Sequence, residues 1–143
     1  MKYDKFFMAL LGAYAAHGDA SRQIFNDYGL TEAQPKILYI LGFNEGIVQK
    51  DFAKLCAIKP STMTVQLARL EKDAGLIRRE SCYISGGKKA YRVYLTKRGK
   101  EIADSLIERI DNLEDISFKG FTAKEQATLL SLLERVEDNL RGR

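Results

Sequence analysis

Apolar residues recur at helical spacing along most of this chain and alternate strictly in only one stretch, so the pattern predicts a mainly α fold with a small β-hairpin. From about Tyr3 to Tyr28, the residues Phe7, Leu10, Leu11, Tyr14, Ile24, Phe25 and Tyr28 fall near one broad helical face, and Gly29 follows where a helix would end. Thr31 and Gln34 have capping-box spacing, and Ile37, Leu38, Ile40 and Leu41 supply the stripe of a short second helix ending near Gly42 to Gly46. Phe52, Ala53 and Leu55 mark a third helix of two turns beginning at Gln49. After Ala57-Ile58-Lys59 a fourth opens with Pro60 near its first position. In that helix Met63, Leu67 and Leu70 repeat at i, i+4 and i+7 and face inward, leaving Ser61, Thr62, Thr64, Val65, Gln66 and Arg69 on the other sides.

Gly75 closes the fourth helix, and the periodicity then changes. Ile77, Tyr83 and Ile84 lead to Gly86-Gly87, after which Tyr91, Val93 and Leu95 alternate with Arg92 and Tyr94, a hairpin pattern. Thr96 is placed to cap a fifth helix whose Ile102, Leu106, Ile110 and Leu113 keep one face, with Gly120 beyond its end. Thr122 and Glu125 form a second capping-box pattern, opening a last helix in which Leu129, Leu133, Val136 and Leu140 keep near-heptad spacing. An apolar stripe on a terminal helix calls for a partner.

With 143 residues, 45% of them hydrophobic, and no Ser-, Pro- or Gly-rich divider, the chain reads as a single unit, 1–143. Its net charge of +4 is modest but unevenly spread. Residues 47–100 hold 13 Lys and Arg against 4 Asp and Glu, a net of +9, whereas the rest holds 10 against 15, a net of −5. A basic block between acidic flanks points to a polyanionic partner, and double-stranded DNA is the obvious one.

The order helix, turn, helix, basic hairpin is that of a winged helix, whose second helix enters the major groove while the wing reaches backbone or minor groove. The chemistry fits. The short side chains of Ser61, Thr62 and Thr64, with Val65 and Gln66 beside them, let the helix approach base edges, and Arg69 reaches a phosphate or a guanine. Lys59, Arg78, Arg79, Lys88, Lys89 and Arg92 add salt-sensitive phosphate attraction. Hydroxyl residues also favour helix starts for their own sake, and Lys88 and Lys89 would suit a solvated turn; it is their conjunction with the charge asymmetry that favours DNA.

Several linked motifs sharpen this reading. They are Leu30-Thr31 with Gln34, Phe52-Ala53-Lys54-Leu55, Ser61-Thr62-Met63-Thr64, Leu70-Glu71 followed by Gly75-Leu76-Ile77, and Leu95-Thr96 with Gly99. In this order the chain resembles the multiple antibiotic resistance regulator (MarR) family over nearly its whole length. The resemblance implies a homodimeric regulator, most often a repressor. Its dimerisation helices would lie at 1–29 and 97–143, its winged helix-turn-helix at 30–96, and a small-molecule pocket between the two regions. It implies a pseudo-palindromic operator read by two recognition helices about one turn apart, ~34 Å. Two departures stand out: Gly87 and Lys89 occupy the positions where the family's wing carries an Asp and a minor-groove Arg, and the stretch Lys72-Asp73-Ala74 is one residue longer than common. Lysine lacks arginine's planar fork, so this wing is expected to add affinity more than specificity.

For an aromatic or apolar effector, Tyr14, His17 and Tyr39 are the candidate anchors; core or dimer-interface roles explain the same residues. Cys82 follows Arg78 and Arg79 in the wing, which makes a redox-sensing regulator one alternative, while Cys56 reads as a small buried hydrophobe. A winged-helix protein-interaction module is the other alternative. No nucleophile and base pair, phosphate-binding loop, cofactor motif or metal motif is visible, so no enzyme, cofactor or metal site is expected. Lys2 and Lys5 ahead of the apolar run Phe6 to Ala16 loosely imitate a secretory signal. However, Asp4 interrupts the charge, the helical pattern continues beyond the run, and eleven residues fall short of the roughly 20 needed to span a bilayer. A cytoplasmic location with no membrane contact is the expectation.

Overall fold

A computed structural model describes residues 2–31 and 33–143. The chain forms two compact units, Met1–Ile110 and Asp111–Arg143. The elements are α1 (Phe6–Asn26), α2 (Gln34–Leu41), α3 (Gln49–Leu55), α4 (Pro60–Lys72), β1 (Ile77–Ile84), β2 (Lys88–Leu95), α5 (Lys97–Ser117) and α6 (Ala123–Arg141). The expected mainly α fold with a small hairpin is observed.

In the first unit the core collects Ile37, Leu38 and Leu41 from α2, Phe52 and Ala53 from α3, and Met63, Leu67 and Leu70 from α4. Leu76, Ile77, Val93 and Leu95 come from the base of the hairpin, and Ala103 and Leu106 from α5. The inward stripe expected of α4 is wholly buried. Gln66 is a correction: expected on an outward side, its residue is only 2% exposed. It lies one position before Leu67 and three after Met63, so it falls on the edge of the buried arc.

Helix α2 opens later than the Thr31 pattern suggests. Gln34 does accept the Thr31 backbone N–H at 3.3 Å, but as half of a capping box. The helix itself starts at Gln34 with Pro35 in its first turn, where a missing N–H and a fixed φ cost nothing. Helix α1 serves two ends differently. Ile24, Phe25 and Tyr28 pack on the core, whereas Phe6, Phe7, Leu10, Leu11 and Tyr14 are exposed in the single chain. Its C-terminal end is clasped to α5 by a Tyr28–Ser105 hydroxyl hydrogen bond of 2.6 Å and an Arg109–Asp27 ion pair of 2.8 Å. Hydrogen bonding to Asp27 foremost, and to Tyr28 after it, holds the Arg109 guanidinium even more firmly protonated than usual.

Strands β1 and β2 pair antiparallel from Ile77↔Leu95 to Ile84↔Lys88. The tip, Ser85-Gly86-Gly87, needs two successive positive φ angles, +84° and +74°, which is why glycine stands at both positions. The hairpin is moored at its base: Gly46 N–H donates to Val93 O at 2.8 Å, Val93 N–H to Ile47 O at 3.0 Å, and Leu95 N–H to the Glu45 carboxylate at 2.9 Å. Thr96 caps α5 as expected, accepting the Gly99 N–H at 3.1 Å while donating its hydroxyl proton to Gly75 O at 2.7 Å.

In the second unit Phe118 and Phe121 meet edge to face at 5.3 Å. The predicted capping box is complete: Thr122 Oγ1 accepts the Glu125 N–H at 3.1 Å and Glu125 Oε1 accepts the Thr122 N–H at 2.9 Å. These bonds hold the Glu125 carboxyl below its ordinary pKa. The cap's electrostatic contribution therefore persists at neutral pH and fades only as pH falls through that lowered value. Helix α6 buries none of its residues within the single chain, and Leu129, Leu130, Leu132, Leu133 and Leu140 all stand exposed.

Candidate nucleic-acid interface

Helix α4 follows α3 after a turn in which Ala57 takes φ +54°, and it keeps Met63, Leu67 and Leu70 in the core while Ser61, Thr62, Thr64, Val65 and Arg69 are exposed. Ser61, Val65 and Arg69 are spaced at i, i+4 and i+8, so one exposed helix face carries a hydroxyl, an apolar branch and a guanidinium in sequence. With Thr62 and the edge of Gln66 they line a shallow depression of about 340 Å³. Val65 is 48% exposed, an apolar group of the size that meets a thymine methyl. Lys59, the N-cap residue, is also exposed.

The remaining residues of the expected set divide by how they are held. Lys88 and Lys89 are exposed beside the wing tip, with Lys89 Nζ 5.6 Å from the Tyr91 ring. Thr64 is already engaged, donating to Pro60 O at 3.0 Å and accepting from Gln49 Nε2 at 3.2 Å. Arg78 pairs with Glu80 and lies over the Tyr94 ring at 4.4 Å. Arg92 donates to Gly46 O at 2.8 Å. Arg79 is the most enclosed, bound to Glu71 and Gln49. Lys59, Ser61, Thr62, Val65, Arg69, Lys88 and Lys89 thus stand on open surface; Thr64, Arg78 and Arg92 are exposed too but engaged in contacts within the wing and the turn, and of the cations in the set Arg79 is the one drawn inward.

Two residues absent from the expected set belong to the same surface. Tyr83, paired across the hairpin with Lys89, is 78% exposed. Lys50, at the start of α3, lines a cleft of about 330 Å³ between the helix-turn-helix and the wing, together with Lys88 and Lys89. Lys50 carried a signal in the basic block; an alternating strand residue such as Tyr83 carried none.

Tyr14 is 76% exposed on α1, His17 is exposed on the same helix, and Tyr39 on α2 stacks edge to face on Phe43 at 5.4 Å. None of the three lines the depression or the cleft. Cys56 is buried, and burial pushes its thiol up to about 11, which keeps it protonated and unreactive at neutral pH. Cys82 is half-buried in β1. A thiol-specific reagent is therefore expected to modify Cys82 in the native protein and Cys56 only after denaturation; rapid modification of both natively would show that the α2–α4 core opens. Among the described residues no group of three or more His, Cys, Asp or Glu side chains is placed to hold a metal ion, and no helix is long and apolar enough to cross a membrane.

The profile of the MarR family matches residues 30–82. The chain is 31% identical to the homoprotocatechuate degradative operon repressor of Escherichia coli, over 92% of this chain and 87% of that protein. Among solved structures, the transcriptional regulator SlyA superposes with a TM-score of 0.79 at 25% identity, covering 95% of this chain and 94% of that one. The regulator NadR in complex with 4-hydroxyphenylacetate superposes with a TM-score of 0.78, also at 25% identity, covering 95% and 94%. Sequence kinship over most of the length, joined to a helix-turn-helix and wing of matching architecture, places this chain in the MarR family of winged-helix, DNA-binding transcriptional regulators.

Proposed function

We propose that the protein is a repressor that binds a pseudo-palindromic operator as a homodimer, each protomer laying α4 in a major groove and its wing along the adjacent backbone. The observation that carries this reading is the open face of α4, where Ser61, Val65 and Arg69 stand in register above a buried stripe. Short polar and apolar side chains let the helix approach base edges, and one long guanidinium reaches a guanine or a phosphate. Lys59, Lys88 and Lys89 supply the charge that follows phosphates.

Dimerisation supplies the second half-site. The exposed apolar residues at the start of α1 and those along α6 are too many for solvated surface, and a second copy of this chain is the partner we assign to them. Small aromatic acids are the effector class to screen first, since NadR binds 4-hydroxyphenylacetate and the Escherichia coli relative is named for the degradation of an aromatic acid. Such a ligand would favour a dimer geometry that misfits the operator and so shift the population toward release. Tyr14, His17 and Tyr39 remain the residues to test as its anchors.

Selection from a random duplex library at near-physiological salt tests the reading. An enriched inverted repeat with half-sites about one turn apart supports it; a pool without enrichment, combined with capture of a protein partner, would favour the interaction-module alternative. On the selected site Arg69→Ala is expected to cost roughly 1–3 kcal/mol and to relax the preference at one base pair. Lys89→Ala should weaken all sequences alike and lower the salt slope by about one charge. A Lys89→Ala protein that lost preference at a single base pair would contradict this division of labour.

A further inference from the structure

Glu71 is an acidic residue in the basic block that faces DNA in the reading above, and there it opposes phosphate attraction unless it does something else. Its surroundings show what. Glu71 Oε2 accepts the backbone N–H of Arg79 at 3.0 Å, and Oε1 accepts the Arg79 guanidinium at 3.0 Å. The same guanidinium donates to Gln49 Oε1 at 3.3 Å, and Gln49 Nε2 donates to Thr64 Oγ1 at 3.2 Å. Thr64 Oγ1 in turn donates to Pro60 O. Arg79 also lies 5.7 Å from the Tyr91 ring on β2. The side chains of Arg79 and Glu71 are only 17% and 28% exposed, so the pair is sheltered enough to hold a geometry rather than flicker as an open surface pair does.

This chain of contacts runs from the C-terminal end of α4 through β1 to the start of α3 and back to the N-terminal turn of α4. We propose that Glu71 and Arg79 are positioning residues for DNA recognition. They bracket the wing against the recognition helix, so that Lys88, Lys89 and the open face of α4 meet the duplex in one fixed arrangement. Arg79 is thereby reassigned from a phosphate contact to a structural fork, and the negative charge of Glu71 raises DNA affinity instead of lowering it. The inference rests on the DNA-binding reading and specifies how that site is organised.

The two roles of Arg79 predict opposite signs for one substitution. Glu71→Gln removes a negative charge facing DNA. If Arg79 were a phosphate contact restrained by Glu71, the variant would bind duplex DNA more tightly. If the pair is a bracket, Glu71→Gln weakens binding to the selected operator by on the order of tenfold despite the added net charge. Arg79→Lys should weaken it comparably, because an ammonium keeps the charge but cannot span Glu71 and Gln49 together. Backbone hydrogen exchange in the DNA-free full-length protein supplies a readout that a general loss of stability would not reproduce. Amides of β1 and β2 should exchange faster in Glu71→Gln while those of α2 and α5 do not change. Unchanged or tighter DNA binding by Glu71→Gln, or wing exchange equal to wild type, would overturn the bracket. A wild-type protein that bound no duplex at all would instead sink the regulator reading, and the proposed DNA role of the bracket with it.

Discussion

Removing the chain from Thr122 onward is expected to abolish dimerisation and to lower operator affinity by roughly 10²- to 10⁴-fold, the scale of converting a tethered second binding event into an independent one. The excised segment is α6 with its capping box, a helix that buries nothing in the single chain although five leucines stand on its surface. Such a helix has no reason to be stable without a partner, since helices of this length depend on burying an apolar face. The core of Met1–Ile110 contains no residue of α6, so the truncated protein should remain helical and keep weak, salt-sensitive DNA binding. Sedimentation and operator titration check both halves together. A truncated protein that stayed dimeric and bound the operator tightly would show that α6 is not needed to hold the dimer.

Gly99→Ala should destabilise the fold by roughly 3 kcal/mol or more, the upper range for overpacking. A Cβ at this position would stand 1.8 Å from Leu76 O and 2.8 Å from Leu76 C, contacts with backbone that no rotamer change relieves. Leu76 cannot retreat cheaply, because its carbonyl accepts the Thr96 N–H at 3.0 Å and its side chain is in the core. Gly99 N–H is itself bonded to the Thr96 hydroxyl that caps α5. The substitution therefore strikes the joint where the wing hands over to α5. Urea denaturation measures it; a loss below about 1 kcal/mol would mean that the joint yields.

Both cases show where the sequence is legible. Periodicity located Met63, Leu67 and Leu70 in the core, and paired glycines located the wing tip, because these signals are local and repeat. Thr122 and Glu125 were legible for the same reason. Periodicity does not place Gln66, because a residue at the edge of a helical stripe is settled by what packs over it. Gly99 stood out only as part of a motif; its reason, a close approach to Leu76 23 positions earlier, is tertiary. Arg79 looked like one more cation in a basic block, and only the folded arrangement sets it between Glu71 and Gln49. Composition shows that the block is basic, whereas geometry separates the charges bound within the wing from those left open. The positive φ of Ala57 was invisible for a different reason, since alanine carries no turn signal.

In the proposed complex, two recognition helices of one dimer read two half-sites on the same face of the duplex. The decisive comparison is affinity, at fixed salt, for the selected operator and for the same operator with about five base pairs, a half turn, inserted between its half-sites. The insertion should reduce binding to the level of unrelated DNA, because the second half-site is carried to the opposite face. Affinity unchanged by the insertion would contradict this arrangement.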